Sequence, residues 1–152
     1  MGGKIKLCHG TCREAASSIY KNGIKFNVGS GELGQGFYMS TSLAYASCMA
    51  WHKMNSNSNG QNDKFFVLSA EIDVDDMKQW HVKSLSDKQA ASMWKKLRES
   101  NETDKKAFDC DIVVSPIQDG LNMGSWQFVF PDNEGGNRTN LSIAVERMYE
   151  GK

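Results

Sequence analysis

The sequence predicts an α+β fold, and a length of 152 residues suits one domain spanning residues 1–152. A short alternating strand opens the chain and is followed by two helical patterns. After those, extended apolar runs dominate, with one further helix among them and no internal repeat. Because helices and strands would alternate throughout an α/β fold, this segregation favours the α+β class.

The first elements follow from residue spacing. Residues 5–8 (IKLC) alternate apolar and polar side chains, which predicts a strand ending at His9 and Gly10. Residues 11–14 have the Thr-x-x-Glu spacing of a capping box, so we expect a helix to begin there. Its apolar side chains recur at helical spacing, and Gly23 can supply the left-handed stop.

A glycine-rich loop separates this helix from the second one. Residues 27–36 contain four glycines and deliver the chain to an aromatic strand at residues 37–39. Thr41 or Ser42 can cap a helix that continues to about His52. The following polar segment, residues 54–63, predicts turns.

The second half of the chain reads mainly as strands. Residues 64–72 predict a long central strand, and residues 111–114 and 126–130 predict two short ones. Between them, residues 86–89 form a second capping box before a helix with apolar positions at Ala90, Met93, Trp94 and Leu97. Residues 141–149 fit a strand or a helix equally well.

Charge and hydropathy exclude several classes of protein. The chain has 18 basic and 18 acidic residues, which argues against binding nucleic acid mainly through charge. No apolar run approaches the roughly 18 residues that cross a bilayer, and no charged-then-apolar leader opens the sequence. We therefore expect no membrane association and a cytoplasmic location, or delivery into a target cell without a signal peptide.

The cysteine pattern predicts neither a disulfide framework nor a metal site. Four cysteines permit three disulfide pairings. A chain of this length does not need disulfide bonds for stability, and the expected compartment is reducing. Cys48 and His52 are four apart on a predicted helix, with further Cys and His at residues 8–12. Since no Cys-x-x-Cys knuckle accompanies them, we expect free thiols and no metal.

Three places carry residues suited to ligand chemistry. His9, Gly10 and Thr11 follow a strand, where an imidazole can donate and a glycine leaves its backbone open to a ligand. The alternative to a binding role is that His9 is an ordinary, half-buried histidine in a turn. A second place is the glycine-rich run into Tyr38, whose ring could stack on an aromatic ligand or belong to the core. This run leads into a strand, so the dinucleotide fingerprint, which needs a helix there, is rejected.

The third place is Gln127, a polar residue in the apolar run 126–130. In a strand it shares a face with Val129, opposite the aromatic residues of the run. It can face solvent on an edge strand, or it can face a cleft. In a cleft its amide would both donate to and accept from a sugar hydroxyl.

Together these motifs resemble the ADP-ribosyltransferase superfamily. The order His-Gly-Thr, then Gly-x-Gly-Phe-Tyr-Met-Ser-Thr, then a strand with Gln or Glu, is similar to the diphtheria-toxin and poly(ADP-ribose) polymerase branch with its His-Tyr-Glu triad. Small bacterial, toxin-like domains of this superfamily also share an aromatic-Asp-x-Val-x-x-Pro segment, here within residues 108–116, with Asp119 downstream. The resemblance covers residues 5–131.

The resemblance implies a fold, an activity and a set of site residues. The fold would be a split β-sandwich of two antiparallel sheets with flanking helices. The activity would be mono-ADP-ribosyl transfer: NAD+ is the substrate, nicotinamide leaves, and ADP-ribose passes to a macromolecular acceptor. His9, Tyr38 and Gln127 would be the catalytic triad. The implied NAD+-binding residues are His9, Gly10, Thr11, Gly36, Phe37, Tyr38, Ser40, Tyr45 and Gln127.

The sequence departs from the family at Gln127, where active members often have Glu. A carboxamide lacks the negative charge that would stabilise a cationic ribose, so a binding module for NAD+ or ADP-ribose that does not turn it over is the alternative function. Asp111, Asp119 or Glu32 could supply a carboxylate instead. Ser125 disfavours arginine as the target, because arginine-specific toxins have an acidic or amide residue there.

The resemblance leaves the acceptor open. We expect a protein acceptor, recognised by residues 27–36 and 117–125; zero net charge disfavours nucleic acid without excluding it. We also expect a monomer. A third possibility is an interaction domain that keeps the fold only as a scaffold.

Overall fold

The computed structural model describes residues 3–24, 29–56, 65–118, 124–131 and 147–151. The elements in chain order are β1 (Lys4–Thr11), α1 (Arg13–Asn22), β2 (Phe37–Ser40), α2 (Leu43–Ser56), β3 (Phe65–Asp73), α3 (Val74–Met77), β4 (Val82–Ser84), α4 (Asp87–Glu99), β5 (Ile112–Pro116), β6 (Trp126–Phe130) and β7 (Arg147–Gly151).

The described strands form one sheet in the order β4-β5-β6-β2-β1-β3-β7. Every neighbouring pair is antiparallel except β4 with β5, which is parallel. The α+β class is thus confirmed, whereas two separate antiparallel sheets are not, since these strands pair into a single mixed sheet.

The sheet is joined unevenly along its width. β2 and β1 pair at one position, Cys8 with Ser40, whereas β1 and β3 pair over the whole length of β1. The sheet therefore consists of a four-stranded half, β4-β5-β6-β2, and a three-stranded half, β1-β3-β7, that meet at a single residue pair.

The core lies on both faces of the sheet because successive strand residues point to opposite sides. In β6, Phe128 and Phe130 join a cluster with Leu7 of β1 and Phe37 of β2. Val129, between the two aromatic residues, joins a separate cluster that packs under α4. This alternation places Gln127 on the same side of β6 as Val129.

The first predicted turn is part of a strand. His9, Gly10 and Thr11 continue β1, where they pair with Leu68, Val67 and Phe66 of β3. The predicted capping box at Thr11 is wrong: α1 has Cys12 at its N-cap, without a side-chain cap. The reason is that Thr11 is buried in the sheet. Gly23 does end the helix, at φ 82°.

The second capping box is confirmed. Ser86 Oγ accepts from the Gln89 amide while the Gln89 side chain accepts from the Ser86 amide, and α4 follows. Ser42 caps α2 by accepting from the Tyr45 amide at 3.0 Å. That helix continues to Ser56, beyond the predicted end.

The remaining predictions concern four strands, one ambiguous segment and two polar or glycine-rich segments. The predicted strands at 37–39, 64–72, 111–114 and 126–130 correspond to β2, β3, β5 and β6, while α3 and β4 were not predicted. Of the ambiguous segment 141–149, residues 147–149 lie in β7 and the others lie outside the described residues. The same is true of residues 27–28 of the glycine-rich segment and of residues 57–63. Within the described ranges no helix has the length and apolar character needed to cross a membrane.

Candidate functional site

A cavity of about 330 Å³ lies where the two halves of the sheet separate. In a continued ladder His9, Gly10 and Thr11 would face Met39, Tyr38 and Phe37, but β1 and β2 do not pair there. Both strands therefore present side chains and backbone to the opening. α2, Trp94 of α4, Gln127 of β6 and residues 30–32 of the glycine-rich loop complete the walls.

The His9 imidazole bridges the gap between the strands. Its Nδ1 lies 2.6 Å from the Tyr38 carbonyl oxygen, and its ring stacks on Phe37 with centroids 4.2 Å apart. Because a carbonyl only accepts, Nδ1 must carry the proton, so Nε2 of the neutral ring is a hydrogen-bond acceptor. Burial, assisted by the charge of Lys53 and opposed by the bond to Tyr38, lowers the pKa of His9 to about 3. The ring is thus neutral near pH 7, and its Nε2 can accept a hydrogen bond.

Gly10 lets α2 pack directly onto β1. A Cβ at this position would overlap the carbonyl oxygen of Ala46 and come within 2.8 Å of the Ala50 amide nitrogen, both backbone atoms of α2. Glycine is therefore required here by close approach. The packing brings Lys53, one turn further along α2, to the same residue.

The carbonyl of Gly10 already has a charged partner. Lys53 Nζ donates to it at 2.7 Å, and Lys53 also lines the cavity. Burial lowers the pKa of Lys53, and the nearby Cys12 partly opposes this. A ligand amide that binds Gly10 through this carbonyl must therefore share it with the ammonium or displace it.

The Tyr38 phenol is held by the glycine-rich loop. Its hydroxyl donates to the Gly34 carbonyl at 2.5 Å and accepts from the Leu33 amide at 2.9 Å. Burial, the leading cause, raises the pKa of Tyr38 well above its ordinary value. Gly31 leaves space for the ring, since a Cβ there would come within 2.8 Å of the Tyr38 Cζ. Tyr38 is therefore a fixed, neutral aromatic wall that is half-buried, not an exposed platform.

Gln127 is buried and connects β6 to the same loop. Its Nε2 donates to Glu32 Oε1 at 3.1 Å and to the Pro116 carbonyl at 3.3 Å, which fixes the orientation of the amide. Glu32 Oε1 also accepts from the backbone N–H of Gln118 at 2.9 Å. Both Gln127 and Glu32 line the cavity, so a carboxylate lies beside the Gln127 carboxamide.

Six of the predicted site residues line this one cavity: His9, Gly10, Tyr38, Ser40, Tyr45 and Gln127. The Ser40 hydroxyl oxygen accepts from the Ser42 amide at 2.9 Å and keeps its proton for donation. Tyr45 reaches the cavity from the first turn of α2.

The other predicted residues lie elsewhere. Thr11 is buried in β1 next to β3, Gly36 packs against Val129 and Phe130, and Phe37 belongs to the core beneath His9. These three do not line the cavity.

Of the three carboxylates considered from the sequence, only Glu32 is placed at the cavity. Asp111 is fully buried away from it, and its Oδ2 accepts from the His81 amide at 2.7 Å, so it fixes the start of β5. Asp119 lies outside the described residues.

No metal cluster is found in the parts of the chain that the structure describes, where no three His, Cys, Asp or Glu side chains are grouped to hold an ion. The four cysteines are free thiols. The polar side chains that line the cavity include the His9 imidazole, the Tyr38 phenol, the Gln127 carboxamide, the Glu32 carboxylate and the Lys53 ammonium.

Sequence reasoning missed Lys53, Trp94 and Thr103 as cavity residues. Lys53 lies just beyond the predicted end of the second helix. Only the packing of that helix on Gly10 shows that the Lys53 side chain reaches the Gly10 carbonyl. The helical spacing of apolar residues predicts that Trp94 lies on the apolar face of α4. That spacing does not distinguish a core residue from one that lines a cavity. Thr103 follows α4 without a motif.

No family model, no curated protein and no solved structure matches the chain.

Proposed function

We propose that this protein is a mono-ADP-ribosyltransferase that cleaves NAD+ and transfers ADP-ribose to a macromolecular acceptor. The observation that carries the proposal is the convergence of His9, Tyr38 and Gln127 on one cavity, although they are far apart in the sequence. These are the three residues that the resemblance pairs with the family triad. A split β-sandwich is part of the same proposal, and the single-pair junction between the two halves of the sheet supports it.

The volume of the cavity favours part of the dinucleotide as its occupant. About 330 Å³ is at the lower end of the roughly 300–1,000 Å³ typical of ligand pockets. Such a space suits the nicotinamide and its ribose, with the rest of NAD+ along the opening between β1 and β2. Neutral His9 would accept from a ribose hydroxyl through Nε2, and Tyr38 and Tyr45 would contact the nicotinamide ring.

The reaction breaks the bond between the nicotinamide nitrogen and C1′ of the ribose. The bonding electrons leave with nicotinamide, positive charge develops on the ribose, and a lone pair of the acceptor forms the new bond to C1′. The walls of the cavity would lower the barrier by orienting the ribose and by placing negative potential near that charge. A protein acceptor inside a cell remains our expectation, with nucleic acid as the other class.

The test is release of nicotinamide from NAD+ by the purified protein, with a cell lysate as the source of acceptors. We expect the wild type to release nicotinamide and to label a macromolecule from NAD+ radiolabelled in the adenylate. Tyr38→Ala should reduce both signals at least tenfold, since it removes one wall of the cavity. Glu99→Gln, an exposed change at the end of α4, should match the wild type. Absence of nicotinamide and of label in the wild type would overturn the proposal.

One observation favours a second candidate, a binding module of the same fold with little or no turnover. The Lys53 ammonium occupies the Gly10 carbonyl and places a cation in the cavity where a cationic ribose would have to form. Heat of NAD+ or ADP-ribose binding in a calorimeter, with no nicotinamide released, is the result that this candidate predicts.

A further inference from the structure

The glycine-rich loop brings a carboxylate to the position that the triad comparison leaves without one. Glu32 lines the cavity, its Oε1 is 3.1 Å from Gln127 Nε2, and the backbone N–H of Gln118 donates to the same oxygen at 2.9 Å. Two donors from different parts of the chain therefore fix one end of this carboxylate. An exposed glutamate on a loop would ordinarily sample several rotamers. The two hydrogen bonds instead hold the Glu32 side chain in one rotamer at the cavity wall.

We propose that Glu32 is the catalytic carboxylate of this protein and that Gln127 is its positioning residue. This inference rests on the proposed transferase function and assigns to residue 32 the charge that residue 127 lacks. A carboxamide presents a dipole to the ribose, whereas a carboxylate presents a full negative charge. Gln127, buried and fixed by the Pro116 carbonyl, uses its amide to aim that charge.

The chemical step balances with the residues present. As the C1′–nicotinamide bond breaks, nicotinamide takes the electron pair and the Glu32 carboxylate stabilises the developing oxocarbenium charge. The acceptor then attacks C1′ with its lone pair, and the proton it loses passes to Glu32 and from there to water. No oxidant, reductant or metal is needed.

The opposite charge on the other wall defines a direction across the cavity. Lys53 approaches from α2 at Gly10, while Glu32 approaches from the loop at Gln127. The geometry therefore favours the reacting ribose on the Glu32 side, away from the ammonium. It also explains how a chain with Gln in the third motif could retain turnover.

The experiment compares four proteins: the wild type, E32Q, the charge swap E32Q/Q127E, and the exposed control E99Q. Nicotinamide release and NAD+ affinity are measured for each, with thermal unfolding to verify the fold. E32Q should lower the release rate roughly a hundredfold, as for loss of one preorganised electrostatic group. Its affinity for NAD+ should change less than about threefold, because the charge acts mainly on the transition state. The swap should recover at least tenfold over E32Q, and E99Q should match the wild type.

The outcomes distinguish the role of Glu32 from the transferase function. An active wild type together with an equally active E32Q overturns the role of Glu32 and leaves the transferase function standing. A folded swap no faster than E32Q also overturns that role, because the negative charge that the proposal requires beside the ribose would then be present at residue 127 without effect. A wild type that binds NAD+ without releasing nicotinamide overturns the transferase function itself, and the role of Glu32 with it. If E32Q does not fold, E32D decides: it keeps the negative charge but withdraws it from Gln127, so a release rate equal to that of the wild type contradicts a catalytic carboxylate.

Discussion

The two edges of β1 have opposite structural roles. On one edge all eight residues of the strand pair with β3, while on the other edge a single residue, Cys8, pairs with β2. The paired edge leads into the buried side chains of β3, including Val67 and Leu68. The open edge leads into the cavity.

The difference shows how one strand can both anchor the sheet and border a cavity. Regular pairing satisfies the backbone, whereas the gap between β1 and β2 leaves polar groups that must find other partners. Two side chains provide part of this compensation: His9 donates to the carbonyl of Tyr38, and Lys53 donates to that of Gly10. The imidazole and the ammonium at the cavity thus take hydrogen-bond roles that a continued ladder would have left to the backbone.

The largest effect is expected from Gly10→Ala, which tests whether the open edge depends on the contact with α2. The new Cβ would overlap backbone atoms at Ala46 and Ala50, which cannot rotate away. We expect the free energy of unfolding to fall by about 3 kcal/mol or more, measured by urea denaturation. Gly3→Ala is the matched control, since nothing lies within 4 Å of a Cβ there. Equal stability of the two variants would mean that α2 does not pack on Gly10 as described.

A smaller effect should come from the protonation of His9. Its pKa is about 3 in the folded protein against 6.5 for an unperturbed histidine. Below about pH 6.5 the unfolded chain binds a proton that the folded chain does not, so stability is complete above that pH and declines towards pH 3. Between pH 7 and pH 5 the wild type should lose about 1–2 kcal/mol more of its unfolding free energy than His9→Asn.

Urea denaturation at several pH values measures this difference. Asparagine can keep the donor to the Tyr38 carbonyl, so the comparison isolates the titration of the ring from the loss of the bond. His52→Asn, on the exposed side of α2, is the control and should follow the wild type. Parallel stability curves for the wild type and His9→Asn would show that the imidazole is not buried in neutral form.

The smallest effect is expected from Lys53→Met, which frees the Gly10 carbonyl while keeping an apolar stem in place. If that carbonyl contacts the nicotinamide amide, NAD+ should bind roughly fivefold tighter relative to ADP-ribose, or about 1 kcal/mol. Calorimetry with both ligands measures the ratio, and Lys95→Met, exposed on α4, is the control. An unchanged ratio would exclude competition between the ammonium and the nicotinamide at this carbonyl.

Local patterns predicted much of the fold. The capping box at Ser86 and the alternation around Phe128 depend on neighbours in the chain, and both are found in the structure. The box at Thr11 failed because pairing with β3 buries that threonine in a strand, and this contact is not local. The order of the strands and their union in one sheet are likewise contacts between distant segments.

The candidate site divides in the same way. The sequence alone identifies three candidate residues, because each is a polar or aromatic residue in a motif suited to ligand binding: His9, Tyr38 and Gln127. It does not identify Lys53, since an ammonium near the end of an amphipathic helix is ordinarily solvated. Its use as the partner of Gly10 depends on the way α2 lies across β1.

Side-chain type and short-range spacing are enough to assign the α+β class, most of the strands and helices, and the motifs that contain His9, Tyr38 and Gln127. They do not reveal that β1 and β2 separate beyond one residue pair, that Glu32 lies against Gln127, or that Lys53 reaches Gly10, which are properties of the folded chain. Those contacts join residues dozens of positions apart, and their geometry is set by the packing of the helices and the loop on the sheet.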